Sequence, residues 1–133
     1  MIVYVETSAA AKLLVDEPES IAVRDYLAAL VEGGNLVFAG RILETELRRI
    51  VVRQGMSQQA ATAVLDLIDV VEHSRNQFRE AGMLPVAQLR SLDALHLATA
   101  LDAQADAMIT FDERIEEACA AVGLAVLVVP TQG

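Results

Sequence analysis

The chain has no tryptophan, one cysteine (Cys119), one lysine (Lys12) and no glycine in its first 32 residues. Each absence closes off a class of chemistry. A single cysteine builds no disulfide framework, and Cys119, between Ala118 and Ala120 in a helical pattern, reads as a buried, inert thiol. The glycine-free opening holds neither a G-x-G-x-x-G turn nor a P-loop, and neither occurs later, so nucleotide-cofactor chemistry finds no support. Serine catalysis of the G-x-S-x-G type is likewise missing. A phospho-accepting receiver domain needs a lysine after its last strand, where this chain runs into Pro130. Basic charge is scarce: 10 Lys and Arg face 19 Asp and Glu, for a formal net charge of −9. A protein that holds nucleic acid by blanketing phosphates needs a basic face, so any such contact here is local. The one basic cluster is Arg41, Arg48, Arg49 and Arg53, where Arg48 and Arg49 are either phosphate grips or part of an ordinary solvated helix face. No transmembrane candidate is visible. The opening Met1-Ile2-Val3-Tyr4-Val5 lacks a basic n-region, so it reads as a strand and not a signal peptide, which points to the cytoplasm.

What is present is apolar. Hydrophobic residues make up 54% of the 133 residues and charged ones 22%, which excludes disorder and predicts a single domain over residues 1–133. So much Ala, Leu and Val exceeds what one small core readily hides, so a homodimer held by apolar helix surface is expected. Ile2 to Val5 reads as a strand buried on both faces, followed by a helix from Ala9 to Val15 that Thr7 or Ser8 could cap. Pro18 restarts a helix that runs to Glu32 and stops at Gly33-Gly34. Leu36 to Ala39 is the second strand. The next helix carries Leu43, Leu47 and Ile50 on one stripe with Glu46 beside it, and ends at Gly55. Ser57 and Ser74 begin further helices, separated by a short extended piece at Val70-Val71. Ala107 to Phe111 is a strand, Asp112 to Val122 a helix closed by Gly123, and Ala125 to Val129 the final strand. Strands alternating with helices predict an α/β fold: a mainly parallel sheet of four to five strands between helical layers.

The most informative stretch is Leu89 to Leu101. Leu92, Leu95, Ala98 and Leu101 recur at helical spacing, Ser91 is a plausible N-cap, and Asp93 then falls on the first turn of a nearly all-apolar helix. A carboxylate there costs roughly several kcal/mol unless something pairs with it. Capping is the ordinary answer, gaining about 0.3–1 kcal/mol from the helix dipole. Parallel sheets offer another, since their sites lie at the carboxyl ends of strands. Glu6 follows the first strand, Asp112 follows the fourth, and Glu46 and Asp93 can reach the same edge. Four carboxylates gathered there repel strongly unless cations neutralise them. An all-oxygen donor set selects magnesium or manganese, and carboxylate-held magnesium points to a phosphodiester substrate. His96, three residues after Asp93, is either a further ligand or a hydrogen-bonded supporting residue.

Val3-Tyr4-Val5-Glu6-Thr7-Ser8-Ala9, Glu46-Leu47-Arg48-Arg49, the run from Leu89 to Ala100, and Ile109-Thr110-Phe111-Asp112-Glu113-Arg114 resemble the PIN-domain ribonucleases of the VapC toxin type, in order and over nearly the whole chain. The resemblance implies the three-layer PIN-like fold and a Mg2+- or Mn2+-dependent endoribonuclease acting on RNA. It also implies a homodimer and a VapB-type antitoxin as partner. By position, Glu6, Glu46, Asp93 and Asp112 would be the catalytic and metal-binding acids, with Thr7, Ser8 or Thr110 as polar lining; Arg48 and Arg49, the phosphate grips weighed above, would then face RNA. One departure matters: the family has Asp where this chain has Glu6. The extra methylene implies either a local shift of the helix start or a weakened site, the extreme being an inactive domain that acts as a binding partner.

Overall fold

The structure is a computed structural model, described here for residues 1–131. Five strands, β1 (Ile2–Val5), β2 (Leu36–Gly40), β3 (Asp69–Val71), β4 (Ala107–Ile109) and β5 (Ala125–Val126), form one sheet in the order β3-β2-β1-β4-β5. Every pairing is parallel. Around the sheet lie α1 (Thr7–Leu14), α2 (Ser20–Glu32), α3 (Ile42–Gln54), α4 (Gln58–Leu65), α5 (Arg75–Met83), α6 (Ser91–Asp102) and α7 (Glu113–Val122). The expected α/β architecture is what forms.

Why β1 is central follows from its side chains. Val3, Tyr4 and Val5 are fully buried, which suits a strand covered on both faces and flanked by a neighbour on each side. β1 pairs with β2 on one side, with Tyr4 opposite Phe38, and with β4 on the other, with Val5 opposite Ile109. The chain winds outward through β2 and β3, then returns to the far side of β1 for β4 and β5. That reversal makes the carboxyl ends of β1 and β4 the topological switch point, where a crevice opens between diverging connections.

The helices follow their sequence signals closely, with informative exceptions. α2 begins at Ser20 and not at Pro18, because the Ser20 hydroxyl donates to the Val15 carbonyl at 3.0 Å and accepts from the Glu17 amide at 2.9 Å, locking the preceding residues into a turn. Ser74 caps α5 through a full capping box with Gln77. Ser91 is the first residue of α6 and not its cap, since Arg90 occupies the cap position without a side-chain bond. The expected stripe through Leu92 is also shifted: Leu92 is 46% exposed, and the buried run is Ala94 to Ala100. α6 packs against α5 and β2, so it is enclosed along most of its length. β4 and β5 are shorter than their apolar runs, ending at Ile109 and Val126. Cys119 lies in the core, donates to the Met108 sulfur at 3.7 Å, and burial pushes its pKa up to about 11, as expected of an inert thiol.

Candidate active site

Local chain geometry brings the sequence-flagged acids to one edge. Glu6 immediately follows β1, and its amide donates to the Ile109 carbonyl at 3.0 Å, so the β1–β4 ladder continues into the crevice. Glu6, and not Thr7 or Ser8, is the N-cap of α1. Its longer side chain curls back, and its Oε2 accepts from the Ser8 amide at 3.1 Å. Its Oε1 accepts from the Ser8 hydroxyl at 2.5 Å and from the Thr110 hydroxyl at 2.6 Å, and the residue is only 4% exposed. Ser8 Oγ in turn accepts from the Phe111 amide, and Thr110 Oγ1 from the Asp112 amide. Thr110 and Ser8 therefore tie the end of β1 to the end of β4. Asp112 caps α7, its Oδ1 accepting from the Arg114 amide at 2.9 Å.

Glu46 reaches the edge from α3. Its Oε1 accepts from the Thr7 hydroxyl at 2.7 Å and lies 2.5 Å from His96 Nε2. Asp93, half-buried on the first turn of α6, completes the set. Burial raises its pKa, and the negative charges of Glu6, Asp112 and Glu46 raise it further, while His96 opposes them. Glu46 is shifted the other way. Burial alone pushes its pKa up, but the hydrogen bonds from His96 and Thr7 outweigh it and hold the carboxyl below its ordinary range.

Asp93 thus lies within the field of the three other acids. As placed, however, no three acidic, histidine or cysteine side chains among the described residues are grouped tightly enough to chelate one ion. The reason is visible in the partners: Glu6 is drawn to Ser8 and Thr110, and Glu46 to Thr7 and His96. The donor set is nonetheless all oxygen with surplus negative charge, which is the chemistry a hard divalent cation satisfies.

A PIN domain family model matches residues 3–121, a span that contains all four acids. This chain belongs to the PIN-domain family. Its relatives include ribonuclease VapC47 of Mycobacterium tuberculosis, 35% identical over 125 residues that cover 91% of this chain and 92% of that protein. Ribonuclease VapC35 of the same species is 38% identical over 132 residues, covering 94% and 95%. Among solved structures, this PIN domain matches Mycobacterium tuberculosis VapC20, described as a sarcin–ricin loop cleaving toxin, with a TM-score of 0.74 at 16% identity, covering 98% and 99% of the two chains. It also matches VapBC2 from Rickettsia felis bound to a promoter DNA fragment, with a TM-score of 0.73 at 16% identity, covering 96% and 98%. These structural likenesses show the shared PIN fold.

The basic residues of this PIN domain separate. Arg48 is held by Glu44 at 2.9 Å, by Gln58 and by Thr62, and so fastens α3 to α4. Arg49 stays exposed beside it. Sequence reading flagged His96 but not its link to Tyr4, 92 residues away, and gave no role to His73. Spacing to Asp93 was the only signal for the first, and none existed for the second.

Proposed function

We propose that this PIN domain is a Mg2+- or Mn2+-dependent endoribonuclease and the toxin half of a VapBC-type pair. The observation that carries the reading is the linked placement of acids at the carboxyl ends of β1 and β4: Glu6 and Asp112 meet Thr110, Glu46 meets Thr7, and Asp93 is half-buried in their field, an excess of negative charge that a divalent cation would relieve. Relatives named VapC ribonucleases support it over nearly the whole chain. When bound, such a cation polarises a phosphate oxygen and lowers the pKa of a bound water. Asp93, Asp112, Glu6 and the free oxygen of Glu46 would hold it, with Glu6 kept at the edge by Ser8 and Thr110. Thr7 keeps Glu46 turned inward, and exposed Arg49 is the local cation for an RNA phosphate, Arg48 being committed to α4.

Two further properties belong to this reading. Phe78, Met83 and Leu92 on α5 and α6, and Ile21, Val31 and Leu67 elsewhere, leave apolar surface exposed for a homodimer and for an antitoxin. The antitoxin should present an Arg to the four acids, supplying bidentate positive charge where the cation would sit. Dimerisation is checked by sedimentation at micromolar concentration, where a monomer refutes it.

The deciding experiment is RNA cleavage with Mg2+, with Mn2+ and with chelator, for the chain and for Asp93→Asn and Glu6→Asp. Cleavage that requires the ion and Asp93 is expected. Glu6→Asp retains the cap but shortens the carboxylate by about one bond length, and should raise the Mg2+-dependent rate by roughly tenfold, as repairs of about 1 Å can. RNA left intact by the unaltered chain and by Glu6→Asp in both metals would overturn the reading.

A further inference from the structure

Beneath the acids lies a chain of polar groups that the carboxylates alone do not require. Tyr4 on β1 and His96 on α6 are both 0% exposed, with ring centroids 5.6 Å apart. The Gly40 amide, at the end of β2, donates to Tyr4 Oη at 3.0 Å. Tyr4 Oη lies 2.6 Å from His96 Nδ1, and His96 Nε2 lies 2.5 Å from Glu46 Oε1. The relay therefore crosses the molecule from the sheet through α6 to α3.

The direction of every link follows from which groups can only donate. An amide N–H cannot accept, so Tyr4 Oη accepts from Gly40 and keeps its own proton to give. Burial removes water as a taker, and His96 Nδ1 is the acceptor within reach. Nδ1 must then carry a lone pair, which places the ring proton on Nε2, directed at Glu46 Oε1. Thr7 Oγ1 donates to the same oxygen at 2.7 Å and stands 3.0 Å from Nε2. Two donors thus converge on Oε1 of Glu46. Oε2 has no protein partner among the described residues.

We infer that Tyr4 and His96 are positioning residues for Glu46: Gly40, through Tyr4, sets His96 as its Nε2–H tautomer, and His96 with Thr7 pins Oε1 so that Oε2 is presented to the site. A glutamate has three rotatable side-chain bonds, and on a half-buried helix turn it would otherwise sample orientations that do not face the other acids. Fixing one oxygen in advance removes that freedom before any ligand arrives. Outer partners of this kind commonly change metal affinity or activity by about 10–100-fold when lost. Only the consequence for catalysis rests on the ribonuclease reading; the tautomer and the orientation of Glu46 do not.

The test uses the full chain and three variants, Tyr4→Phe, His96→Leu and His96→Gln. In metal-free protein, 15N NMR of the His96 ring should show a lone pair on Nδ1 and a proton on Nε2, and Tyr4→Phe should convert this to a mixture of tautomers. Titration with Mn2+ alone should show His96→Leu binding roughly 10–100-fold more weakly. His96→Gln places an amide nitrogen near the lost Nε2 and should recover most of that affinity, although both variants alter the same buried position. In RNA cleavage, His96→Leu should lower kcat and leave KM unchanged, since a fully buried ring does not touch the substrate. A proton found on Nδ1 in the unaltered chain, or His96→Gln binding Mn2+ as weakly as His96→Leu, would overturn the inference. Should His96→Leu fail to fold, the tautomer in the unaltered chain and its response to Tyr4→Phe still decide it. If the unaltered chain cleaves no RNA, the ribonuclease reading fails while the tautomer and Mn2+ measurements continue to judge the positioning couple.

Discussion

The two histidines of this chain flank Gly40 and hold their protons on opposite nitrogens. His96 accepts a hydrogen bond from Tyr4 at Nδ1 and donates one to Glu46 from Nε2. His73 accepts the Ile42 amide at Nε2, at 3.0 Å, and so must give its Nδ1 proton to Thr99 Oγ1 at 2.8 Å. From Thr99 the bonding passes to Gln77 on α5. His96 thus orients a charged side chain at the site, whereas His73 fastens backbone, joining the first turn of α3 to α6. A histidine's role here is decided by which donor meets it first, and that is a matter of neighbouring strands and turns, not of the residue.

The contrast can be broken most forcefully on the site side. Asp93→Asn should lower RNA cleavage by on the order of 10²–10³-fold, the cost of removing a preorganised electrostatic contact. Metal-free Asp93→Asn should melt slightly higher than the unaltered chain, because burial and the neighbouring acids disfavour the charge it removes. Calorimetry in chelator checks this, and a substantially lower melting temperature would contradict it. The next effect joins the two sides. A Cβ on Gly40 would stand 2.1 Å from His73 Cε1, so Gly40→Ala must displace the ring and should cost about 1–3 kcal/mol in urea unfolding. Because the Gly40 amide also anchors Tyr4, the same substitution should disturb the His96 tautomer signal, whereas His73→Leu should lower stability and leave that signal in place.

The smallest effect is a dependence on pH. Burial, opposed in part by the charge of Glu72, lowers the pKa of His73 below its ordinary 6.5. The folded state then binds fewer protons than the unfolded chain, so this contribution is present above pH 6.5 and is lost as the pH falls through the folded value. Urea midpoints compared between pH 7.5 and 5 should fall more for the unaltered chain than for His73→Gln, by a fraction of a kcal/mol given partial exposure. Equal slopes would remove His73 as the source.

Most of the fold was legible because its signals are local. Val3 to Val5, the αL glycines Gly55 and Gly123, and the Ser57 and Ser74 caps each act within a few residues. Asp93 was legible for the same reason, as a charge on an apolar helix. What stayed hidden depends on long-range partners. The curl of Glu6 onto Thr110, 104 residues away, is invisible to any pattern, and so the sequence points to Thr7 or Ser8 as the cap that Glu6 itself supplies. Ser91 misled because a good capping residue sat one position inside the helix, where Arg90 had already taken the extended conformation. Arg48 looked like a phosphate grip because α4, which binds it, is ten residues farther on.

The seam between β1 and β4 ties the site to the slowest clock in the molecule. Amides in a buried central strand exchange with solvent chiefly when the whole domain opens, while loops open far more often. Glu6 and Asp112 are fixed to the ends of those two strands through Thr110, Ser8 and the amides of Phe111 and Asp112. On warming, the acids should therefore keep their arrangement until global unfolding, and the catalytic edge should be among the last parts of the chain to lose its order.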